Sequence, residues 1–379
     1  MSDPFGYLFG GESLLVGTLL PFILVLAVVV FVHEMGHFIV GRLCGIGVQA
    51  FSIGFGPELI GYTARNGTRW KLCAIPLGGY VKFVGDLNAA SAPDGQGVAA
   101  MSEAERKVAF PAQPVWKRAA TVFAGPAFNF LLTIAILSFF FASYGRMVAD
   151  PTIAEVNAGS PAAIAGFKPG DRFINVEGSE ITTFSDVQRI VNGRSGDELS
   201  FTVERDGREV ELKAVPELME QTDALGNKIK LGVIGVTITR DTGNYRTVEY
   251  SPLESVGAAV VETGHIISRT GTFMKRLVMG REDKCQLGGP VKIANMAGQA
   301  AQHGFEWLVQ LIAMLSVGIG LFNLFPLPPL DGGHLVIYAG EAVLGRPVPV
   351  AVQELFFRLG FFVVIGFMGF VFYNDLFGC

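Results

Sequence analysis

The chain has 379 residues, 50% of them hydrophobic and 17% charged, with a formal net charge of −5 and a mean hydropathy of +0.44. That balance excludes an ordinary soluble enzyme and points to a membrane protein. The charge is mild and forms no basic stripe, which argues against nucleic acid as a partner.

Residues 1–13 contain Asp3 and Glu12 but neither Lys nor Arg, so they lack the positive region of a cleaved signal and the first apolar run reads as retained. That run starts at Leu14, is uncharged to Val32, and then meets His33-Glu34-Met35-Gly36-His37 before apolar residues resume. Ionisable groups inside a membrane span are costly and default to a functional reading. On a helix His33 and His37, four residues apart, share a face. Both imidazoles then reach one tetrahedral zinc while Glu34 flanks the metal's water.

Four segments are long and apolar enough to cross a bilayer, at 14–40, 119–144, 307–330 and 355–374. Between the first two, Arg42 to Arg118 holds nine basic residues against five acidic ones, whereas the N-terminal tail holds no basic residue. The positive-inside rule makes that connection cytoplasmic and places both termini and residues 145–306 outside. Cys44, Cys73, Cys285 and Cys379 form no CxxC and fall in different compartments, so a disulfide framework is not expected.

After the first span, residues 48–84 carry short Val-, Ile-, Phe- and Tyr-rich runs, and Asn66-Gly67 between two of them is a hairpin signal. A small sheet on the cytoplasmic side is expected there, followed by a mobile loop over 86–105. Gly125-Pro126-Ala127-Phe128-Asn129 lies near the inner end of the second span. Gly125 permits close helix approach, and Asn129 is either packing glue or a contact in the site. Beyond that span, turns alternate with strand-like runs, and Asp206-Gly207 marks a second hairpin. The stretch SPAAIAGFKPGDRFINVEG at 160–178 resembles a PDZ domain, read either as a strand-adding dock or as a steric filter. Residues 254–279 are apolar but contain Glu262, His265, Arg269, Lys275 and Arg276, a pattern suited to a helix on the membrane surface. His265 and His303 read as ordinary polar residues.

Zinc held by two histidines needs a third protein ligand and keeps its fourth position for water. Asp331, in NLFPLPPLDGGH at 323–334, is the candidate, because the first and third spans run in the same direction and both motifs lie toward the inner end. His37 is five residues from Arg42, which puts the metal about 8–14 Å below the cytoplasmic interface. His334 is the rival ligand. Pro326, Pro328 and Pro329 prevent a regular helix, and unwound backbone at membrane depth is tolerated where it lines a cavity or is buried in protein.

HEMGH, GPAFN, the PDZ-like insertion, LGGPVKIA at 287–294 and NLFPLPPLDGG at 323–333 together resemble the bacterial site-2 protease family, the regulated intramembrane zinc metalloproteases of the RseP, RasP and MmpA type. The resemblance covers essentially the whole chain. It implies that His33, His37 and Asp331 bind zinc, that Glu34 is the catalytic acid/base, and that Asn323 helps hold the substrate backbone. It further implies that PLGGYVKF at 76–83, with Gly78, Gly79, Tyr80 and Val81, resembles a membrane-associated hairpin that pairs with an unwound substrate; Asn129 is carried as a further substrate contact. Two departures are a single PDZ domain where the RseP type carries tandem copies, and Gly318 where many relatives have Asn in the third span.

The expected fold is an α-helical integral membrane protein with four transmembrane spans, a small cytoplasmic-side β-sheet and one inserted extracytoplasmic PDZ domain. The boundaries are a first span with HEMGH at 1–47, a β-rich region and loop at 48–113, a second span at 114–145, the PDZ domain at 146–220, its C-terminal region with the surface helix at 221–304, a third span with LDGG at 305–340, and a fourth span at 341–379. The expected function is zinc-dependent site-2 cleavage of single-span membrane proteins, such as anti-sigma factors or signal-peptide remnants, already trimmed by a site-1 protease, in the bacterial inner membrane. Metal transport wants ligands staged along a path, and a dead scaffold has no use for Glu34, so both readings are weaker.

Overall fold

The computed structural model describes residues 14–86, 100–222, 228–238, 245–280 and 287–378. Most of the expected 86–105 loop lies outside them. The chain divides into two compact units, one formed by 1–136 with 288–379 and the other by 137–287.

Helix α1 (Leu20–Leu43) follows π-helical turns over Leu14–Leu19. Its buried residues, Val25, Val29, His33, Gly36, His37 and Gly41, recur every three or four positions and so form one stripe. The helix stops at a Schellman turn: Gly45 takes φ +80°, its N–H bonds Arg42 O at 3.0 Å, and Ile46 N–H bonds Gly41 O at 2.9 Å. Strands β1 (Val48–Thr63) and β2 (Arg69–Phe83) follow, joined through the Asn66-Gly67 turn. Both double back. Residues 50–53 of β1 pair with 69–72 of β2 on one side and with 79–82 on the other, while 60–63 pair with 69–72. Among the described residues, the 79–83 segment therefore has a strand partner on one side only. Helix α2 (Glu103–Val108), with a Ser102–Glu105 capping box, precedes α3 (Val115–Tyr144), which carries Pro126 in its interior. Phe51, Val81, Phe83, Phe110, Val122 and Tyr338 form the core that holds the sheet to the helices.

In the second unit, β3 (Arg146–Ala149) and β4 (Glu155–Val156) lead to helix α4 (Pro161–Ala165), strands β5 (Arg172–Val176) and β6 (Ser179–Glu180), helix α5 (Phe184–Asn192), and the hairpin of β7 (Leu199–Arg205) and β8 (Arg208–Ala214). The sheet order is β6-β5-β7-β8. Asp206 and Gly207 both have positive φ, as a two-residue type I′ turn requires. Phe167, Phe173 and Phe201 centre the core, and the fully buried Asp171 carboxylate receives two Arg205 hydrogen bonds of 2.7 Å. β9 (Glu217–Thr222) pairs with β10 (Lys228–Val233), β11 (Val236–Thr237) with β4, and β12 (Tyr245–Val248) with β3. Helix α6 (Pro252–Val278) covers the segment expected at the membrane surface and is tied to this unit by Arg276–Asp197 at 2.6 Å and Arg189–His265 at 2.9 Å.

The chain then returns to the first unit with α7 (Pro290–His303), whose N-terminal N–H groups bond the Asp375 carboxylate. Next come α8 (Phe305–Asn323), α9 (Asp331–Leu344) and α10 (Val350–Tyr373). Among the described residues, four helical segments are long and apolar enough to cross a membrane: Leu15–Leu43, Val115–Tyr144, Phe305–Asn323 and Ala351–Phe377. The third ends at Asn323 rather than near 330, because Pro326, Pro328 and Pro329 supply no amide hydrogen and bar the helix from continuing. Asp331 consequently opens a new helix instead of ending the span.

Candidate metal centre

The buried stripe of α1 turns both histidine rings toward α3 and α9. His37 Nδ1 lies 2.9 Å from the main-chain oxygen of Thr121. A carbonyl only accepts, so Nδ1 carries the proton and Nε2 presents a lone pair. His33 Nε2 lies 3.2 Å from that atom. The rings fit because position 125 is glycine: a β-carbon there would overlap both imidazoles, and one on Gly36 would strike Ala124 on the facing helix.

Asp331 arrives in the first turn of α9. Its Oδ2 is 3.1 Å from His33 Nε2 and 3.5 Å from His37 Nε2. That oxygen is enclosed, in a residue that is itself half-buried, yet makes no well-formed hydrogen bond. Among the described residues, these three are the group whose ligand atoms gather, all within 4.8 Å of one another. Their separations of 3.1, 3.2 and 3.5 Å match the edges of about 3.3 Å in a tetrahedron with metal–ligand distances near 2.0–2.1 Å. Two imidazole nitrogens and a carboxylate oxygen gathered at these distances fit a zinc ion.

They open onto a cleft of about 260 Å³. Glu34 lines it one residue from His33, and the backbone N–H of Val81 hydrogen-bonds its carboxylate. A β-carbon on Gly79 would sit 3.1 Å from Glu34 Cγ and 2.7 Å from Ser52 O, so glycine is what lets β2 lie this close to α1. Gly78, Gly79, Tyr80 and Val81, the start of the one-sided segment of β2, form one wall, and Asn323 at the end of α8 lies on the same cleft. His334 lines it too, but its ring packs on Phe357 with centroids 4.9 Å apart and is not in the ligand group. It also borders a second cavity of about 190 Å³ beside the buried Arg118–Glu341 ion pair.

Asn129, expected to touch substrate, is instead fully buried and absent from the cleft wall. Its amide lies 3.2 Å from His33 Nδ1, and its main-chain oxygen accepts from Ser316 Oγ and Thr133 Oγ1. The physical reason is helix rotation: on α3 it shares the face of Gly125 and Pro126 that is pressed between α1 and α8. The sequence reading also missed the Thr121 carbonyl and the Arg118–Glu341 pair. A main-chain group leaves no compositional signal, and the pair joins residues too distant for any periodicity to connect.

Peptidase family M50 matches the chain over residues 21–367. A Brucella suis biovar 1 protein that carries a zinc metalloprotease name is 69% identical over 379 residues, the whole of both chains. A similarly named Agrobacterium fabrum protein is 53% identical over 362 residues, 96% of each chain. Metalloprotease MmpA of Caulobacter vibrioides is 40% identical over 380 residues, covering 94% of this chain and 95% of its own. With a match of this extent enclosing both halves of the ligand cluster, the chain belongs to peptidase family M50 and is a zinc metalloprotease of the membrane.

Proposed function

We propose that this protease cleaves single-span membrane proteins within the bilayer, as the second cut after a site-1 protease has removed their outer domain. Anti-sigma factors and signal-peptide remnants are substrates of the right form. The observation that carries the reading is the gathering of His33, His37 and Asp331 on a cleft that Glu34 and the one-sided β2 segment share.

A peptide bond inside a substrate helix is inaccessible until the helix unwinds. The unwound stretch has unpaired backbone groups, and β2 residues 79–83, with a strand partner on one side only among the described residues, offer it backbone partners largely independent of side-chain identity. Asn323 donates from the opposite side to the substrate backbone or to the developing oxyanion. When bound, zinc supplies Lewis-acid activation of a water molecule and of the scissile carbonyl. Glu34 takes the proton from that water and passes it to the leaving amine. The Val81 N–H holds the Glu34 carboxylate facing the cleft.

In this reading the protein sits in the bacterial inner membrane with both termini outside and the cleft toward the cytoplasm, supported by the basic excess of 42–118. Residues 146–220 act as an extracytoplasmic PDZ domain, supported by the 160–178 motif and by a four-stranded sheet with two short helices. Purified protein mixed with a trimmed single-span substrate tests the function. Zinc-dependent fragments ending inside the span are expected, and a substrate left intact by zinc-loaded enzyme would overturn it. Deleting 150–220 separates the domain's two roles: release of cleavage on untrimmed substrates marks a filter, and loss on trimmed ones marks a dock.

A further inference from the structure

A histidine that holds a metal through one ring nitrogen almost always donates the other N–H to a fixed acceptor, which sets the tautomer and the ring's direction. His37 has such an acceptor in the Thr121 carbonyl, 2.9 Å from Nδ1. For His33, the group at the corresponding place is the side-chain amide of Asn129, 3.2 Å from Nδ1.

Asn129 has features that packing alone does not explain. It is fully buried between helices, and its Oδ1 has no hydrogen-bond partner. A polar amide is an expensive way to fill such a space. A half-turn about the last side-chain torsion exchanges Nδ2 for Oδ1 in front of the ring and moves little else. With Nδ2 facing the ring, His33 Nδ1 must accept and Nε2 must carry the proton, which removes the lone pair from the ligand cluster. With Oδ1 facing it, Nδ1–H donates, and Nε2 joins His37 Nε2 and Asp331 Oδ2 as a third lone-pair donor. Only the second arrangement binds a cation.

We propose that Asn129 is the positioning residue of the metal site: its carbonyl oxygen accepts from His33 Nδ1–H and holds Nε2 toward the metal. This rests on the reading of His33, His37 and Asp331 as the zinc ligands. The α3–α8 junction keeps Asn129 in place. Its main-chain oxygen receives Ser316 Oγ at 3.0 Å and Thr133 Oγ1 at 3.2 Å, Thr133 also bonds Ala313 O at 2.8 Å, and Gly320 leaves room for the Asn129 β-carbon.

The test is zinc affinity of the purified full chain, measured by competition with a graded chelator series, for wild type, Asn129→Leu, Asn129→Ala and Asn129→Asp. Leu keeps the bulk and loses the acceptor, whereas Asp keeps an acceptor for Nδ1–H. A positioning role predicts an affinity about 10–100-fold weaker for Leu and Ala and near wild type for Asp. A packing role predicts the reverse order, with Leu tolerated and a buried carboxylate rejected, and that result overturns the proposal. Thermal unfolding in excess chelator reports whether each variant folds. Nitrogen NMR of the histidines in zinc-loaded wild type gives a readout free of variants: the His33 proton is expected on Nδ1, and a proton on Nε2 overturns the proposal. If wild type and His33→Ala take up zinc alike, the ligand reading itself fails. If only His33→Ala loses zinc and every Asn129 variant matches wild type, the failure belongs to Asn129.

Discussion

His33 Nε2 and Asp331 Oδ2 stand 3.1 Å apart, although one lies in the first span and the other opens the helix after the third. His33 is buried and Asp331 half-buried with its Oδ2 enclosed, so a cation between them is held by both. Removing one partner of such a set leaves the rest uncompensated in a poorly solvated place.

Asp331→Asn is therefore expected to weaken zinc retention and eliminate proteolysis, whereas His334→Ala leaves bound metal unchanged. Metal analysis after dialysis checks both. Zinc lost from the His334 variant and kept by the Asp331 variant would reassign the third ligand.

Glu34→Gln is expected to lower turnover by about 10²–10⁴-fold while zinc content and melting temperature stay near wild type. The Val81 amide can still be met by the Gln carbonyl, so the side chain keeps its place and loses only its capacity to take a proton. Turnover and zinc content measured on one preparation decide this, and turnover close to wild type would dismiss Glu34 as the base.

Gly125→Ala places a methyl group against the rings of both His33 and His37. Overpacking of this kind costs about 1–3 kcal/mol, and here the displaced groups are the proposed ligands. Zinc affinity should fall more than stability does. A variant that keeps full zinc and full activity would show that α1 and α3 can separate at this point without cost.

HEMGH could be read because its geometry is local: four residues of helix put two side chains on one face. The Asn66-Gly67 hairpin and the Asp206-Gly207 turn were legible for the same reason, as was the break made by Pro326, Pro328 and Pro329. Asn129 was not. Its type announced a buried polar group, but which group it would meet depended on the rotation of α3 against α1, and no pattern within α3 encodes that. The doubling back of β1 and β2 was equally hidden, since alternation shows that a segment is a strand without showing how many neighbours it has.

In the second unit, the Asp186 carboxylate accepts from the main-chain N–H and hydroxyl groups of Thr182 and Thr183 at the start of α5, and pairs with Arg189. Burial pushes this carboxyl up, but the hydrogen bonds from Thr183 and Thr182 and the Arg189 charge outweigh burial and hold it below its ordinary value. A depressed carboxyl stabilises the fold fully at neutral pH and ceases to do so as pH falls through the folded value. Asp186→Asn should accordingly cost about 1 kcal/mol at pH 7, with the difference from wild type shrinking as pH drops below the usual carboxylate range. Thermal melting of both proteins across pH checks this, and a gap independent of pH would remove the charge from the explanation.

The grouped residues lie on either side of the 137–287 unit in sequence. The ribosome releases His33 and His37 early, with the rest of α1, and Asp331 only after the whole 137–287 unit has been made. If His33, His37 and Asp331 hold the metal as proposed, a chain that stops short of Asp331 has Glu34 and two of the three ligands, and it is expected to be inactive. On that reading proteolytic competence waits on the synthesis of Asp331, and an unfinished copy that lacks it adds no active protease to the membrane.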